Sequence, residues 1–292
     1  MKINLAKSAG FCFGVKRALN IALNKANTKE KLYMLGDIVH NEDVVRQISE
    51  TGIKKTEKLA SGKGKTLLIR AHGAAQKTFN KALSLGYNII DATCPMVKEI
   101  HKIAQEMENK GRRIIIIGDK NHDEVKGIIG QLKHRAMVIA DFKHIPFSAL
   151  KKIKKAALIV QSTQNAEKAL RIYAAIKRCI KKIEFFNTIC MPTRLKQEEI
   201  KKMPLENDAM IIIGSKNSAN TRRLYEISKS LNKRSYWIAN KKQIKQEWLK
   251  GIRSVGVTAG ASTPNATTQG VIERIKACSS SKSPALRCLR SA

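Results

Sequence analysis

Short runs of β-branched residues alternate with helical patterns along most of the 292-residue chain. Such alternation predicts parallel sheets whose strands are joined by crossover helices, so the predicted fold class is α/β. The number of predicted strands exceeds what one doubly wound sheet usually needs, which favours several small α/β modules over one large domain. The predicted strands are 2–6, 31–35, 66–71, 88–91, 113–117, 137–140, 157–161, 183–186, 209–213, 235–238 and 254–258.

Three of the six cysteines lie in turns marked by glycine, proline or threonine, at points where a helix is predicted to begin. They are Cys12, Cys94 and Cys190, and their similar spacing also favours three modules. The N-terminus is strand-like and shows no leader pattern, so we expect a reducing, cytoplasmic compartment in which cysteines act as ligands, nucleophiles or spectators rather than as disulfides. We expect one site assembled from three places, in which three thiolates leave one corner of a metal cluster open for a substrate.

The balance of charge bears on the partners of the chain. Fifty-six Lys and Arg residues against 23 Asp and Glu give a formal net charge of +33, which favours anionic partners, although a lysine-biased proteome explains the same number. Aromatic residues make up only 5% of the chain and are not interleaved with arginines, which argues against nucleic acid as the main partner. The apolar runs fall far short of the roughly 20 residues that span a bilayer, so no membrane helix is predicted.

Polar residues follow several predicted strands, where open α/β sheets bind their ligands. His40, His72 and His122 each follow an apolar run and are flanked by Gly, Asn or Asp, so they are candidate donors to a diphosphate or, alternatively, structural histidines. Segments 214–221 and 259–264 combine glycine with small hydroxyl or amide residues, which predicts either anion sites at helix starts or ordinary N-caps. Glu124, near a predicted helix start, is a candidate proton donor.

Five ordered motifs together are specific enough to indicate a family. They are GFCFGV at 10–15, RAHG at 70–73, DATCP at 91–95, NHDEVKG at 121–127 and GSKNS at 214–218. With these motifs the chain resembles the 4-hydroxy-3-methylbut-2-enyl diphosphate reductases, iron–sulfur enzymes of the non-mevalonate route to isoprenoid precursors, over about residues 1–277.

The resemblance implies a [4Fe–4S] cluster held by Cys12, Cys94 and Cys190, and reduction of the hydroxylated allylic diphosphate to isopentenyl and dimethylallyl diphosphate. It implies reduced ferredoxin or flavodoxin as the electron donor, and a proton delivered by Glu124 with help from the Thr163 hydroxyl. The residues implied to bind the diphosphate are His40, His72, His122, Ser218, Asn220 and Ser262, with Thr163 and Thr193 close to the substrate.

The resemblance also implies three α/β domains arranged as a trefoil around a central cluster. The first domain would span 13–95, the second 96–187, and the third 188–277 together with the N-terminal strand 1–12. Residues 278–292 are predicted to form a poorly ordered basic tail, with Cys278 and Cys288 as exposed bystanders.

Four positions depart from the usual family pattern. Ala219 replaces a second serine, Met191-Pro192 changes the segment after Cys190, and Lys196 replaces an arginine. Two other hypotheses remain at this point: zinc held by the same cysteines, and a basic protein that binds nucleic acid through its lysines. Cys179, inside a helical pattern, is interpreted as a small core residue.

Overall fold

Three four-stranded sheets, all parallel, form the framework of the computed structural model, which describes residues 1–26 and 31–280. The α/β class predicted from the alternation of strand and helix patterns is therefore confirmed, as are three separate sheets. The strands are β1 Lys2–Leu5, β2 Lys31–Leu35, β3 Lys54–Thr56, β4 Lys65–Ile69, β5 Asn88–Asp91, β6 Arg113–Ile117, β7 Met137–Ile139, β8 Lys155–Val160, β9 Lys182–Phe186, β10 Ala209–Ile213, β11 Ser235–Ile238 and β12 Ser254–Ala259.

Helices connect the strands, as parallel pairing requires. The α-helices within the described ranges are α1 Phe13–Ala26, α2 Glu42–Glu50, α3 Gln76–Ser84, α4 Pro95–Asn109, α5 Asp123–Ile129, α6 Phe147–Leu150, α7 Ala166–Lys177, α8 Met191–Glu206, α9 Ala219–Leu231 and α10 Asn265–Ser280.

The chain divides into two compact units, and the larger one, Cys12–Arg194, contains two of the sheets. One has the strand order β3-β2-β4-β5, and the other the order β7-β6-β8-β9. The inner strands β4, β6 and β8 are apolar and buried on both faces, because helices cover both sides of each sheet. Their carboxyl ends carry the sequence segments with candidate functional residues.

The smaller unit combines Met1–Phe11 with the chain from Leu195 onward, and its sheet has the order β1-β12-β10-β11. The N-terminal strand β1 thus pairs with β12, a strand from near the end of the described chain. Strand β10 is buried at every residue and lies between β11 and β12. The three-domain boundaries proposed from the resemblance stay a prediction.

Five predicted strands have the observed bounds, and one strand was missed. Strand β3 is a three-residue edge strand, Lys-Lys-Thr, without the apolar run that signals a strand. The prediction for Cys278 is wrong, because Cys278 is buried in the apolar core of the smaller unit, beside α10 residues such as Val271 and Ile275. Helix α10 also runs to Ser280, so the predicted tail cannot begin at 278; the rest of it, including Cys288, lies outside the described residues.

Candidate active site

Each of the three singled-out cysteines lies immediately before the first residue of a helix. Cys12 precedes α1, Cys94 is the N-cap of α4, and Cys190 precedes α8. The carbonyl of each accepts the backbone N–H four residues later, at 3.0, 3.0 and 3.1 Å respectively. The predicted helix starts are confirmed, and all three thiols belong to the larger unit. A helix N-terminus favours negative charge, so it suits a thiolate or an anionic group held by one.

Helix α1 packs its first turn against the thiol of Cys94. A Cβ built on Gly14 would lie 2.5 Å from Cys94 Sγ, so only glycine fits at this position. Burial raises the pKa of Cys94, and the nearby charges of Cys12 and Glu124 raise it further. Burial likewise raises the pKa of Cys190, where the charges of Glu124 and Cys94 add to the effect. Cys94 thus interacts electrostatically with Cys12 and Glu124. Cys190 likewise interacts with Cys94 and Glu124.

Hydrogen bonds tie two of the cysteine turns to the ends of neighbouring strands. Cys94 N–H donates to the carbonyl of Ala71 at 3.0 Å, next to His72 and just after β4. Cys190 N–H donates to the carbonyl of Ser162 at 3.1 Å, just after β8. The Cys190 thiol also lies 3.1 Å from the hydroxyl of the buried Thr193, so this predicted site residue contacts a predicted cluster ligand.

The three predicted histidines form one group. The ring centroids of His40 and His72 are 4.3 Å apart and stacked, while His122 meets them edge-on at 5.2 and 5.5 Å. Ligand nitrogens from all three lie within 4.8 Å of one another. They come from three chain segments, after β2, β4 and β6, whose carboxyl ends the fold brings together.

The histidines are held in their neutral forms. Burial lowers the pKa of His40, lowers that of His72 well below 6.5, and lowers the pKa of His122 to about 4. The backbone N–H of Glu124 donates to His122 Nδ1 at 3.2 Å, so the proton of the neutral ring belongs on Nε2. His72 Nδ1 is buried without a hydrogen-bond partner in the described part of the chain. This tautomer makes His122 an N–H donor, which suits an anion better than a metal ion.

Glu124 is the buried carboxyl group of this site, with only 1% of its surface exposed. Ser162 N–H donates to its Oε1 at 2.6 Å, and the Ser162 hydroxyl donates to Oε2 at 2.7 Å. Burial raises the pKa of Glu124, while the two hydrogen bonds from Ser162 oppose the rise. The structure thus brings Ser162 to Glu124, whereas the Thr163 hydroxyl accepts a hydrogen bond from the Gln161 side chain at 3.2 Å.

A second polar group occupies the smaller unit, at the carboxyl ends of β10 and β12. Ser218 is the N-cap of α9, and its hydroxyl oxygen accepts from Thr221 N–H at 3.3 Å and from the Thr221 hydroxyl at 3.0 Å. Both lone pairs are thereby used, so the Ser218 proton remains available to an acceptor.

Asn220 belongs to the same group. Its Oδ1 accepts from Ala261 N–H at 3.0 Å, and its Nδ2 is buried with no hydrogen-bond partner in the part of the chain that the structure describes. Ser262 is also buried, one residue after Ala261. Ser218 and Asn220 thus offer hydrogen-bond donors, which are the groups that an anion would require. Ser218 caps α9 through its oxygen and keeps its own proton for another acceptor.

Two of the departures from the family pattern have structural explanations. Pro192 is the second residue of α8, where a helix needs no backbone N–H donor, and the hydroxyl beside Cys190 comes from Thr193 instead. Lys196 is buried and donates to the carbonyls of Ser8, Gly10 and Ala259, all within the smaller unit. Nothing in the structure explains Ala219.

Sequence reasoning missed three polar residues of the larger unit: Ser162, Arg70 and Asp123. Arg70 and Asp123 form an ion pair of 2.7 Å beside the histidines. Both belong to motifs quoted above, RAHG and NHDEVKG, and lie within two residues of a predicted histidine. This closeness in sequence could have identified them as candidate site residues. Among the described residues, no helix is long and apolar enough to cross a membrane.

Fold and site together define an α/β protein with reduced cysteines at three helix starts, a buried carboxyl group and a cluster of neutral histidines. Residues 3–276 match the family described as LytB protein, and the chain belongs to this family. It is 39% identical over 285 residues to a 4-hydroxy-3-methylbut-2-enyl diphosphate reductase of Geotalea daltonii, covering 97% of this chain and 99% of that protein. The same enzyme of Aquifex aeolicus is 38% identical over 278 residues, covering 94% and 96%.

Solved structures agree with these relatives. A structure of (E)-4-hydroxy-3-methyl-but-2-enyl diphosphate reductase, the terminal enzyme of the non-mevalonate pathway, matches with a TM-score of 0.70 and 38% identity, covering 95% of this chain and 100% of that one. The E-1-hydroxy-2-methyl-but-2-enyl-4-diphosphate reductase of Plasmodium falciparum matches with a TM-score of 0.85 and 26% identity, covering 93% and 87%. The family expected from the sequence motifs is confirmed.

Proposed function

We propose that this chain reduces 4-hydroxy-3-methylbut-2-enyl diphosphate to isopentenyl and dimethylallyl diphosphate, with loss of the hydroxyl group as water. The observation that carries the proposal is one arrangement in the larger unit. Thiols at helix starts, neutral histidines and the buried Glu124 are linked there by hydrogen bonds and mutual charge effects. Relatives nearly as long as this chain carry the name of that enzyme.

The proposed cofactor is a [4Fe–4S] cluster on Cys12, Cys94 and Cys190. The donor set fits it, because three reduced thiols lie at helix N-termini, and Gly14 lets the first turn of α1 approach the Cys94 thiol, which a Cβ at this position would meet at 2.5 Å. Zinc in a structural site takes four protein ligands, whereas a cluster on three thiolates keeps one position for substrate. When bound, the cluster supplies the two electrons one at a time. Loading releases protons, since burial keeps the pKa values of Cys94 and Cys190 high.

The proposed ligands of the diphosphate are hydrogen-bond donors of side chains. His122 presents an Nε2–H, because the Glu124 backbone occupies its Nδ1, and His40 and His72 stand beside it. Ser218, Asn220 and Ser262 contribute a hydroxyl proton, a buried amide group and a further hydroxyl. Neutral donors stabilise the charged group without requiring that several adjacent imidazoles carry positive charge at once.

Glu124 holds the proton that leaves with the substrate hydroxyl. Burial raises its pKa, which favours the protonated acid, so the carboxyl group can deliver the proton inside the site. We assign Thr163 a supporting hydroxyl near the substrate and Thr193 a place beside Cys190. Delivery of a further proton to one or the other end of the allylic system determines which product forms.

The physiological electron donor is proposed to be reduced ferredoxin or flavodoxin in a reducing, cytoplasmic compartment. The formal charge of +33 supports this assignment, since an acidic donor would be steered to a basic surface. A donor-dependent rate that does not change with ionic strength would contradict the steering.

Anaerobic turnover tests the proposal most directly. Protein reconstituted with iron and sulfide is mixed with the hydroxylated diphosphate and a chemical one-electron reductant, and the products are identified by mass spectrometry. We expect both five-carbon diphosphates, with reductant consumed only when substrate is present. Protein that binds iron and sulfide but forms neither product would overturn the assigned reaction, and protein that binds zinc alone would overturn the cofactor.

A further inference from the structure

An ion pair between Arg70 and Asp123 lies directly beside the histidine group. Arg70 Nη1 donates to Asp123 Oδ2 at 2.7 Å, and both side chains are about four-fifths buried, with 21% and 22% exposed. The same carboxylate oxygen lies 3.8 Å from His40 Nε2. Since partly buried charges are screened less by solvent than surface charges, this pair is stronger than an ordinary surface ion pair.

The pair joins the chain segments that carry the histidines. Arg70 stands two residues before His72 at the end of β4, and Asp123 follows His122 as the first residue of α5. Asp123 therefore shares its helix start with Glu124, the proposed proton donor. One hydrogen bond thus fixes the His72 segment relative to the segment that carries both His122 and Glu124.

The third histidine segment is shaped to accept the arginine. Gly36, four residues before His40, has a φ of +67°, and a Cβ at this position would lie 2.8 Å from Arg70 Nη1. Glycine thus serves both the backbone turn and the close approach of the guanidinium group. The Arg70–Asp123 pair consequently contacts the loops of all three histidines.

Charge gives the pair a second role. Asp123 alone would be an anion 3.8 Å from His40, where it would attract the His40 proton and repel an incoming diphosphate. Arg70 neutralises this carboxylate in place, and its charge acts on His40 in the opposite direction to that of Asp123. The pair thus allows the Asp123 carboxylate to lie beside His40 without remaining an unpaired negative charge in an anion site.

We propose that Arg70 and Asp123 are positioning residues of the diphosphate site: their ion pair aligns the histidine loops, and Arg70 cancels the charge that Asp123 would otherwise place beside His40. This inference rests on the diphosphate-binding role proposed above for the histidines. It predicts which variant loses more affinity for diphosphate: removal of Arg70 alone, which leaves Asp123 unpaired, should weaken binding more than removal of both charges.

The test compares the affinity of holoenzyme variants for inorganic diphosphate, measured by titration calorimetry, with KM for the substrate. Arg70→Met should raise both Kd and KM about tenfold or more, because an unpaired buried charge remains. Asp123→Asn should raise them only a few-fold. The double variant should resemble Asp123→Asn, and Arg70→Lys, which keeps the charge, should stay close to the wild type.

A control and a folding check complete the design. Arg112→Met breaks another ion pair of the same unit, that with Glu184, and should leave diphosphate affinity unchanged. If the double variant binds as weakly as Arg70→Met, or if Arg70→Met binds like the wild type, the inference is wrong. If the wild type binds diphosphate and His122→Ala binds it equally well, the diphosphate-binding role proposed for the histidines is wrong. Should Arg70→Met fail to fold, Arg70→Gln, which removes the positive charge but keeps a hydrogen-bond donor, takes its place in the same comparison.

Discussion

Ser162 contacts both carboxylate oxygens of Glu124, with its backbone N–H at 2.6 Å from Oε1 and its hydroxyl at 2.7 Å from Oε2. The same residue accepts the backbone N–H of Cys190 through its carbonyl. Ser162 therefore connects the proposed proton donor to one of the proposed cluster ligands. A rigid link of this kind fixes where the carboxyl group lies before substrate arrives, which is the geometric requirement for proton delivery.

Removal of the Ser162 hydroxyl should slow the reaction through Glu124. In Ser162→Ala the backbone N–H remains, but one hydrogen bond that lowers the pKa of Glu124 is lost, so this pKa rises further. An acid must be protonated to act, so the loss of kcat at high pH should move to higher pH, while kcat at its maximum falls about tenfold from poorer placement. The pH profile of kcat measures both effects.

Thr163→Ala is the matched comparison. It removes the neighbouring hydroxyl, which accepts a hydrogen bond from the Gln161 side chain and, within the described structure, forms none with Glu124. The profile of Thr163→Ala should keep the wild-type position on the pH axis even if its rate falls. A shift in Thr163→Ala together with an unchanged profile in Ser162→Ala would contradict the assignment of Ser162 as the partner of Glu124.

The cluster assignment predicts that each of Cys12→Ser, Cys94→Ser and Cys190→Ser loses iron. A serine hydroxyl is a much poorer ligand for iron in a cluster than a thiolate. Iron and sulfide per chain, together with visible absorbance, are measured after anaerobic reconstitution. Cys179→Ser is the control, because Cys179 is half-buried beside an apolar core and its thiol faces the carbonyl of Ala175. Full iron content in all three variants would exclude the assignment.

Glu124 should lower the stability of the folded protein at neutral pH. Burial raises the folded-state pKa of Glu124 above the ordinary value of 4.5. Below pH 4.5 the side chain is protonated in both states and its contribution to stability is fully present; that stability is lost as pH rises through the folded-state pKa, because the buried group then ionises. Glu124→Gln keeps groups that can bond Ser162 but cannot ionise. We expect a higher Tm than the wild type at pH 7 and an equal Tm at pH 4, from thermal scans at matched rates.

The comparison with Gln also removes a complication. His40, His72 and His122 have pKa values lowered by burial, so they destabilise the fold as pH falls below 6.5. This loss is common to both proteins and cancels in their difference. A Tm difference that grows toward acid pH would contradict the burial of an ionisable Glu124.

Most strands could be predicted from the sequence, because a strand that is buried on both faces is a nearly continuous apolar run. Strands β6 and β10 are nearly continuous apolar runs, and both were placed correctly. Strand β3 was missed because an edge strand of polar residues has no such run. Cys278 was misjudged for a related reason: the serine- and lysine-rich segment after it masked the last apolar turn of α10.

The sequence predicted where the site residues lie but not which of their side chains contact one another. Turns with cysteine at a helix start predicted where the thiols lie, because the chemistry of the turn is local. Ser162 and Thr163 are adjacent hydroxyl residues, and no local rule says which one points at Glu124; that choice depends on how α5 meets the end of β8. The Arg70–Asp123 pair depends likewise on two segments that are distant in sequence.

Asn220 offers a sensitive test of the anion site in the smaller unit. Asn220→Asp keeps the oxygen that accepts from Ala261 but replaces the unpartnered Nδ2 with a second carboxylate oxygen. A buried anion here would repel the diphosphate, so KM should rise at least about tenfold. Asn217→Asp is the control, since Asn217 is exposed in the loop just before α9. Equal effects of the two changes would indicate general electrostatics instead of direct binding.

Lys196 should be essential for the stability of the smaller unit. Its ammonium group donates to the carbonyls of Gly10 at 3.0 Å and Ala259 at 3.1 Å, and also to that of Ser8. Lys196→Met removes the ammonium donor from all three carbonyls, of which, within the described residues, only that of Ala259 keeps a backbone donor, the Gly10 N–H. The change should therefore cost about 3 kcal/mol in the free energy of unfolding. Lys202→Met, at an exposed position of the same helix, should cost less than about 0.5 kcal/mol.

Urea unfolding of the holoenzyme measures both values. Lys196→Met should also hold less iron after dialysis, because Gly10 lies two residues before Cys12 and its carbonyl is one of the three that Lys196 holds. Lys196→Arg keeps a multiple donor and should lie between the wild type and Lys196→Met. An unfolding midpoint for Lys196→Met equal to that of Lys202→Met would show that the buried ammonium group contributes nothing beyond its apolar stem.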